Sequence, residues 1–356
     1  MEKQHISAIK IAMVYVGTVV GAGFATGQEI LQFFVYFGLG GFWGILLSTL
    51  LFVGYGYFIM ALGRRFAAKS HRELVAGIGG TYTAWVLDTF IMLSLFIALT
   101  AMMAGSGALF YQEFSLSPFV GSALMGVFTA LTVLRGLKGV VNAISAVVPF
   151  LIVGVLAICV YALFFIENTG AFMGQIQGDS NILMGHWLFA ALLYSGYNIL
   201  MSASILAPMG GEASGPKSMF FGAAWGGILL GAVSLMIYLA IGASFAQSSM
   251  FEVPLLYLAL QMSPVVGFLF SLILLAEVYT TAVSALYGFS ARLGVGKLPL
   301  KTIVVGTVVL GFFLSLFGFS NFVRYFYPLQ GYGGFVFLLV LLFSAIGFYG
   351  KKGKGN

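Results

Sequence analysis

Charge is nearly missing from this sequence. Lys, Arg, Asp and Glu together make up 7% of 356 residues while hydrophobic side chains make up 61%, and such a chain has too little polar surface to fold as a water-soluble globule. Thiols are missing too. The single cysteine, Cys159, has no partner in the chain, which excludes an intramolecular disulfide and a thiolate metal cluster. Inside its apolar run it reads as a small buried hydrophobe. Histidine is also scarce, with three in the chain. The apolar segments hold no histidine–carboxylate cluster and no nucleophile beside a base, so an intramembrane enzyme is not expected. What remains is an all-α polytopic membrane protein, surrounded by lipid.

Windows of about 20 residues, the length that crosses a hydrocarbon core of about 30 Å, predict about ten spans. They fall near 8–36, 41–63, 82–111, 118–135, 138–166, 184–208, 216–246, 264–292, 301–319 and 322–349. Apolar sequence continues to Phe37 without a boundary, so the first run reads as a span and not as a secretory leader. With the N-terminus inside, every Lys and Arg except Arg324 falls in an inner segment, which is the asymmetry expected of cytoplasmic loops. The chain is therefore expected in the cell membrane with both termini cytoplasmic. Its net charge of +6 is explained by topology and gives no reason to expect a nucleic-acid partner.

Ten spans divide into two groups of five within one transmembrane domain, 1–356: repeat one at 8–166, an outer loop at 167–183 and repeat two at 184–350. Because five is odd, the second group runs with opposite orientation, as in an inverted-topology repeat. Both groups begin with a weakened helix. The first contains Gly21, Ala22 and Gly23; the second contains Gly196 followed by Tyr197 and Asn198. Glycine disfavours helix by about 1 kcal/mol relative to alanine, and asparagine competes for backbone hydrogen bonds. Paired interruptions of this kind point to a transporter's central site.

In hydrocarbon an unwound segment survives only where it is buried in protein or lines a wet cavity. A break at 21–23 frees carbonyls near Gly17 to Val20, which can coordinate a cation. It also frees amides near Gly23 to Ala25, which can receive a carboxylate. Beyond it, Ala25, Gln28, Glu29 and Gln32 share one helical face. Glu29 there is a candidate substrate ligand, proton carrier or gate, the last with Arg324 as partner. In the eighth span, Glu277, Thr280, Thr281 and Ser284 repeat that spacing and offer hard oxygen ligands for Na⁺ or a carboxyl for H⁺.

The stretches GTVVGAG at 17–23, YSGYN at 194–198 and TT at 280–281 resemble the first, sixth and eighth helices of the amino acid-polyamine-organocation superfamily, the LeuT-fold secondary transporters. More closely, GTVVGAGFATGQEILQFF looks like the YkvI family of bacterial membrane proteins. The resemblance implies a LeuT fold with helices 1 and 6 discontinuous. It implies a Na⁺ site from the carbonyls of Gly17, Val20 and Glu277 and the hydroxyls of Thr280 and Thr281. It also implies a solute site from Gly21, Ala22, Gly23 and Phe24 together with Tyr194, Ser195, Gly196, Tyr197 and Asn198. Glu277 departs from the usual apolar residue and span five holds no lysine, so proton coupling stays open. The exit LAPMGGEASGPKS at 206–218 also resembles amino acid transporters. The expected function is cation-coupled secondary transport of a small organic solute, an amino acid or related amine, with Na⁺ or H⁺ as coupling ion and no other cofactor. The alternatives are a channel and a solute sensor on a transporter fold.

Overall fold

The structure is a computed structural model that describes residues 6–68, 71–135, 138–165, 183–293 and 299–352. The expected outer loop, apart from Leu183, and the expected inner cations Lys3, Lys69, Lys297 and Lys354 lie outside the described residues. The described chain is helical, and its one bridge of β type joins Ile6 to Ala213.

The first span is made of three pieces, α1 (Ala8–Val19), α2 (Ala22–Ala25) and α3 (Gln28–Phe33). A turn at Val35–Phe37 leads to α4 (Leu39–Arg65), then α5 (His71–Phe114), α6 (Pro118–Arg135) and α7 (Lys138–Phe165). The second half runs through α8 (Trp187–Glu212), α9 (Pro216–Ala243), the short α10 (Phe245–Ser248) and α11 (Pro254–Met262), α12 (Pro264–Leu293) and α13 (Leu300–Ser315). It closes with α14 (Phe319–Asn321), a π-helical turn at Phe322–Phe326 and α15 (Tyr327–Lys352).

Local signals set several of these ends. Ser7 caps α1 by accepting from Lys10 N at 3.4 Å, and His186 caps α8 through Leu188 N at 3.3 Å. Pro216 opens α9, where its missing N–H costs nothing. Arg64 and Arg65 close α4, their charge complementing the helix C-terminus.

Five helices are long and apolar enough to cross a bilayer alone, and bent α8 makes a sixth. Four shorter apolar helices, within α1, α6, α7 and α13, fall where the remaining expected spans were placed. By length alone the count among the described residues stops at six; α1 is short because the first span breaks partway. Large apolar side chains stand exposed around the bundle, among them Trp43, Trp85, Trp225, Phe164 and Phe313, as a lipid-facing surface requires. The two halves interlock. First-half α1 packs on second-half α9, and second-half α8 packs on first-half α4, while α12 lies against α5.

The sixth span is discontinuous at a different place from the one expected. YSGYN is regular helix, and α8 instead bends by 54° between Ala203 and Ile205. The cause is Pro208. A helical proline offers no N–H to the carbonyl four residues earlier and its ring presses on that carbonyl, here Ser204.

Candidate functional site

The interruption of the first span has two joints. At the first, Gly21 is extended, with φ −122° and ψ −173°. Val20 N still donates to Val16 O at 2.8 Å. Among the described residues, however, the carbonyls of Gly17, Thr18, Val19 and Val20 accept no backbone hydrogen bond, and the amides of Gly21 to Phe24 donate none. Helical bonding resumes with Ala25 N to Gly21 O at 2.9 Å. The freed carbonyls are those expected; the freed amides begin two residues earlier than expected.

The second joint was not read from the sequence. Gly27 adopts φ +81°, a left-handed conformation that glycine alone adopts cheaply. A Cβ there would stand 2.8 Å from Ile241 Cδ1 and 3.0 Å from Leu255 Cγ. Thr26 Oγ1 donates to Gly23 O at 3.1 Å, and Thr26 O accepts from Leu255 N at 3.0 Å, fixing the joint to α11.

After Gly27, α3 turns Gln28, Glu29 and Gln32 into the protein, leaving them 2%, 4% and 6% exposed. The Glu29 carboxylate accepts a short hydrogen bond from the Tyr197 hydroxyl on α8. It also folds back over Gly23, where a Cβ would stand 2.7 Å from Glu29 Cδ and Cγ. Tyr197 itself belongs to an aromatic cluster. Phe33 lies 5.9 Å from Tyr197 and 5.6 Å from Tyr194, Tyr194 and Tyr197 meet edge-on at 5.8 Å, and Tyr327 at the start of α15 stands 5.4 Å from Tyr197. Tyr194 and Tyr327 are both within electrostatic reach of the carboxylate.

The YSGYN segment thus contributes side chains and no freed backbone. Tyr197 reaches Glu29, while Asn198 Nδ2 turns back to Tyr194 O at 3.0 Å. Ser195 is fully buried, with no hydrogen-bond partner for its hydroxyl among the described residues. Gly196 is a packing position: a Cβ there would meet Phe335 N at 2.8 Å and Gly334 C at 2.9 Å on α15. Ser202 and Thr18 hydroxyls approach to 3.4 Å, joining α8 to the end of α1.

On α12, which packs against α2, Thr280 Oγ1 donates to Glu277 O at 3.0 Å and Ser284 Oγ to Thr280 O at 2.9 Å. Two of the expected cation ligands are therefore bonded to each other, each retaining a lone pair. Thr281 is half-buried. The Glu277 side chain is 3% exposed, and its Oε2 has no hydrogen-bond partner among the described residues.

Arg324 does not pair with Glu29 in this conformation. It sits in the π-helical turn with its guanidinium 5.7 Å from the Tyr325 ring, although that turn and α3 are in contact. Glu29 is committed to Tyr197 and Gly23, so the expected gate pair is not formed.

Hydrogen-bonded ties lie on one side of the bundle. Gln112 at the end of α5 exchanges two hydrogen bonds with Val253, Nε2 to O at 3.1 Å and N to Oε1 at 3.3 Å. Glu252 Oε2 accepts from Phe319 N at 3.3 Å; burial raises its carboxyl pKa, and the backbone amides of Phe319 and Ser320 partly offset that. On the other side, Ile6 N donates to Glu212 O at 3.0 Å and Ser214 N to Ile6 O at 3.3 Å. A cleft of about 740 Å³ between α5, α12 and α13 is lined by Asp88, Phe96, Phe289 and Thr307, among others, and by none of the expected site residues.

An interrupted first helix against a bent sixth, in two interlocked halves, is the fold of the LeuT-type transporters. No family model matches the chain. It superposes on MhsT in complex with L-phenylalanine with a TM-score of 0.64, covering 97% of this chain and 90% of that one at 17% identity. On the inward-facing conformation of Mhp1 the TM-score is 0.61, with 91% and 73% covered at 17% identity. A Na⁺-coupled sialic acid symporter matches with 0.61, covering 88% and 75% at 11% identity.

By sequence, the chain is 30% identical over 346 residues to the membrane protein YkvI of Bacillus subtilis, covering 96% of this chain and 97% of that one. It is 28% identical over 342 residues to YyaD of the same organism, again covering 96% and 97%. The chain belongs to the YkvI family of membrane proteins.

Proposed function

We propose that the chain is a cation-coupled secondary active transporter that moves a small organic solute, an amino acid or related amine, by alternating access. One observation carries the reading. The first helix opens four carbonyls, Gly17 to Val20, in the same interrupted span that carries a buried carboxylate bonded to Tyr197 on the sixth span. Unpaired backbone survives inside a membrane protein only where something polar completes it. Cation and solute are the natural occupants, with Thr280 and Thr281 on neighbouring α12 as further cation ligands.

The fold shared with MhsT, whose structure holds L-phenylalanine, and with a Na⁺-coupled symporter supports this reading. Hydrogen-bonded ties on both sides of the bundle suit a state in which neither side is open. They count against a channel, which needs a continuous polar path.

The test is uptake into proteoliposomes under an imposed Na⁺ or H⁺ gradient. Saturable accumulation that collapses with the gradient is expected, and conduction without saturation or coupling would refute the transporter. Replacing both Thr280 and Thr281 with valine should abolish Na⁺ dependence; an unchanged Na⁺ response would remove them from the cation site.

A further inference from the structure

We infer that the solute is an organic cation, an ammonium-bearing amine without a free carboxylate, and that Glu29 supplies its counter-charge. The inference rests on the transporter reading for the location of the site, and it narrows the solute to one charge class.

Three observations lead there. First, Glu29 is buried, and its hydrogen-bond partner is the phenol of Tyr197; no cation among the described residues pairs with it. A carboxylate removed from water without a counter-charge is costly, so a proton or a ligand cation must complete it.

Second, the carboxylate already occupies the approach to the break. Its Cγ, Cδ and Oε1 fill the space above Gly23 that any side chain at that position would take. An amino acid's carboxylate, arriving at the freed amides of Gly21 to Phe24, would meet the Glu29 carboxylate. Like charges at one site disfavour each other. An ammonium group arriving there meets the opposite charge.

Third, the walls are aromatic. Tyr197, whose hydroxyl bonds the carboxylate, packs against Phe33, Tyr194 and Tyr327 at 5.4–5.9 Å between ring centroids. Ring faces carry negative quadrupole charge and attract ammonium groups. A carboxylate among phenols offers a cation both a salt bridge and π contact, and offers an anion neither.

The experiment compares each amine with its parent amino acid on the purified wild-type protein: phenethylamine with phenylalanine, isoamylamine with leucine, and cadaverine with lysine. Thermal stabilisation against concentration gives the affinity. At least one amine should bind about tenfold or more tightly than its parent, equivalent to about 1.4 kcal/mol. Glu29→Gln should erase the amine response, and Glu29→Asp should keep a weakened one.

Parent amino acids binding as well as the amines would overturn the inference, as would a flat response to every amine. Undiminished amine binding by Glu29→Gln would also overturn it. The amine–parent contrast needs no variant, so it holds even if Glu29→Gln fails to fold. Failure of the transporter reading looks different: the amine would bind through Glu29 but never accumulate in proteoliposomes under either gradient.

Discussion

Replacing Gly23 with alanine tests the centre of the site through stability alone. The new Cβ would stand 2.7 Å from Glu29 Cδ and Cγ, too close to remain. The obstacle is the far end of a side chain, so Glu29 must move and α2 need not. Moving it breaks the Tyr197 bond, which costs about 1–3 kcal/mol with both groups buried. Pushing the side chain off its rotamer adds about 0.5–1.5 kcal/mol, and the better helix propensity of alanine returns up to about 1 kcal/mol. The net loss is about 0.5–4.5 kcal/mol, and each kcal/mol lowers Tm by about 2–4 °C. Gly21→Ala is the control. No atom lies within 4 Å of its Cβ position and its backbone is extended, so its stability should stay within about 0.5 kcal/mol of wild type. The assay is thermal unfolding of the purified protein, repeated in a Glu29→Ala background, where the cost of Gly23→Ala should largely vanish. Equal melting of Gly23→Ala and wild type would refute the placement of Glu29, and so would an equal penalty in both backgrounds.

Gly196→Ala should destabilise by about 1–3 kcal/mol through overpacking, because its Cβ meets α15 backbone at 2.8–2.9 Å; a neutral melt would mean a hinge there in place of a close contact. Pro208→Ala restores a donor to the Ser204 carbonyl and should straighten the 54° bend, lengthening the distance between spin labels at Leu188 and Glu212; an unchanged distance would assign the bend to tertiary packing. Glu252 gives a pH signature. Burial raises its folded-state carboxyl pKa above the unfolded value, so the folded state binds more protons and this group's contribution is fully present below the unfolded pKa. That contribution is lost as pH rises through the raised folded value. Glu252→Gln should flatten that part of the stability–pH curve, and an identical slope would exclude Glu252 as its source.

The first joint was legible because Gly-Ala-Gly inside an apolar run is a local signal that needs no tertiary context. The polar stripe was legible for a related reason: Gln28, Glu29 and Gln32 all belong to the same short α3, so their helical spacing survives the joint before it. Gly196 misled because glycine weakens a helix and also admits a neighbouring backbone. Only the position of Gly334 on α15 decides between those uses. Pro208 was the better signal for the sixth span, since its effect falls on a fixed residue four positions earlier. Phe33 and Tyr327 were not legible at all. With 16% aromatic residues in the chain, nothing in the sequence marks the few that meet at the centre. Glu252 and Gln112 belong to segments joined only by the fold, so their contacts had no local signature.

The bridge between Ile6 and Ala213 gives the first span a mechanical character. Its first end is fastened to the exit of α8, and just before the second joint Thr26 is fastened to α11 through Leu255. Between those anchors lies α2, a link of four residues with a pivot on either side. Turning at Gly21 breaks no backbone bond to its own amide, since that amide has no backbone acceptor. The link is held together internally by Ala25 N to Gly21 O and Thr26 Oγ1 to Gly23 O, so a turn at Gly21 would carry its four residues as one unit.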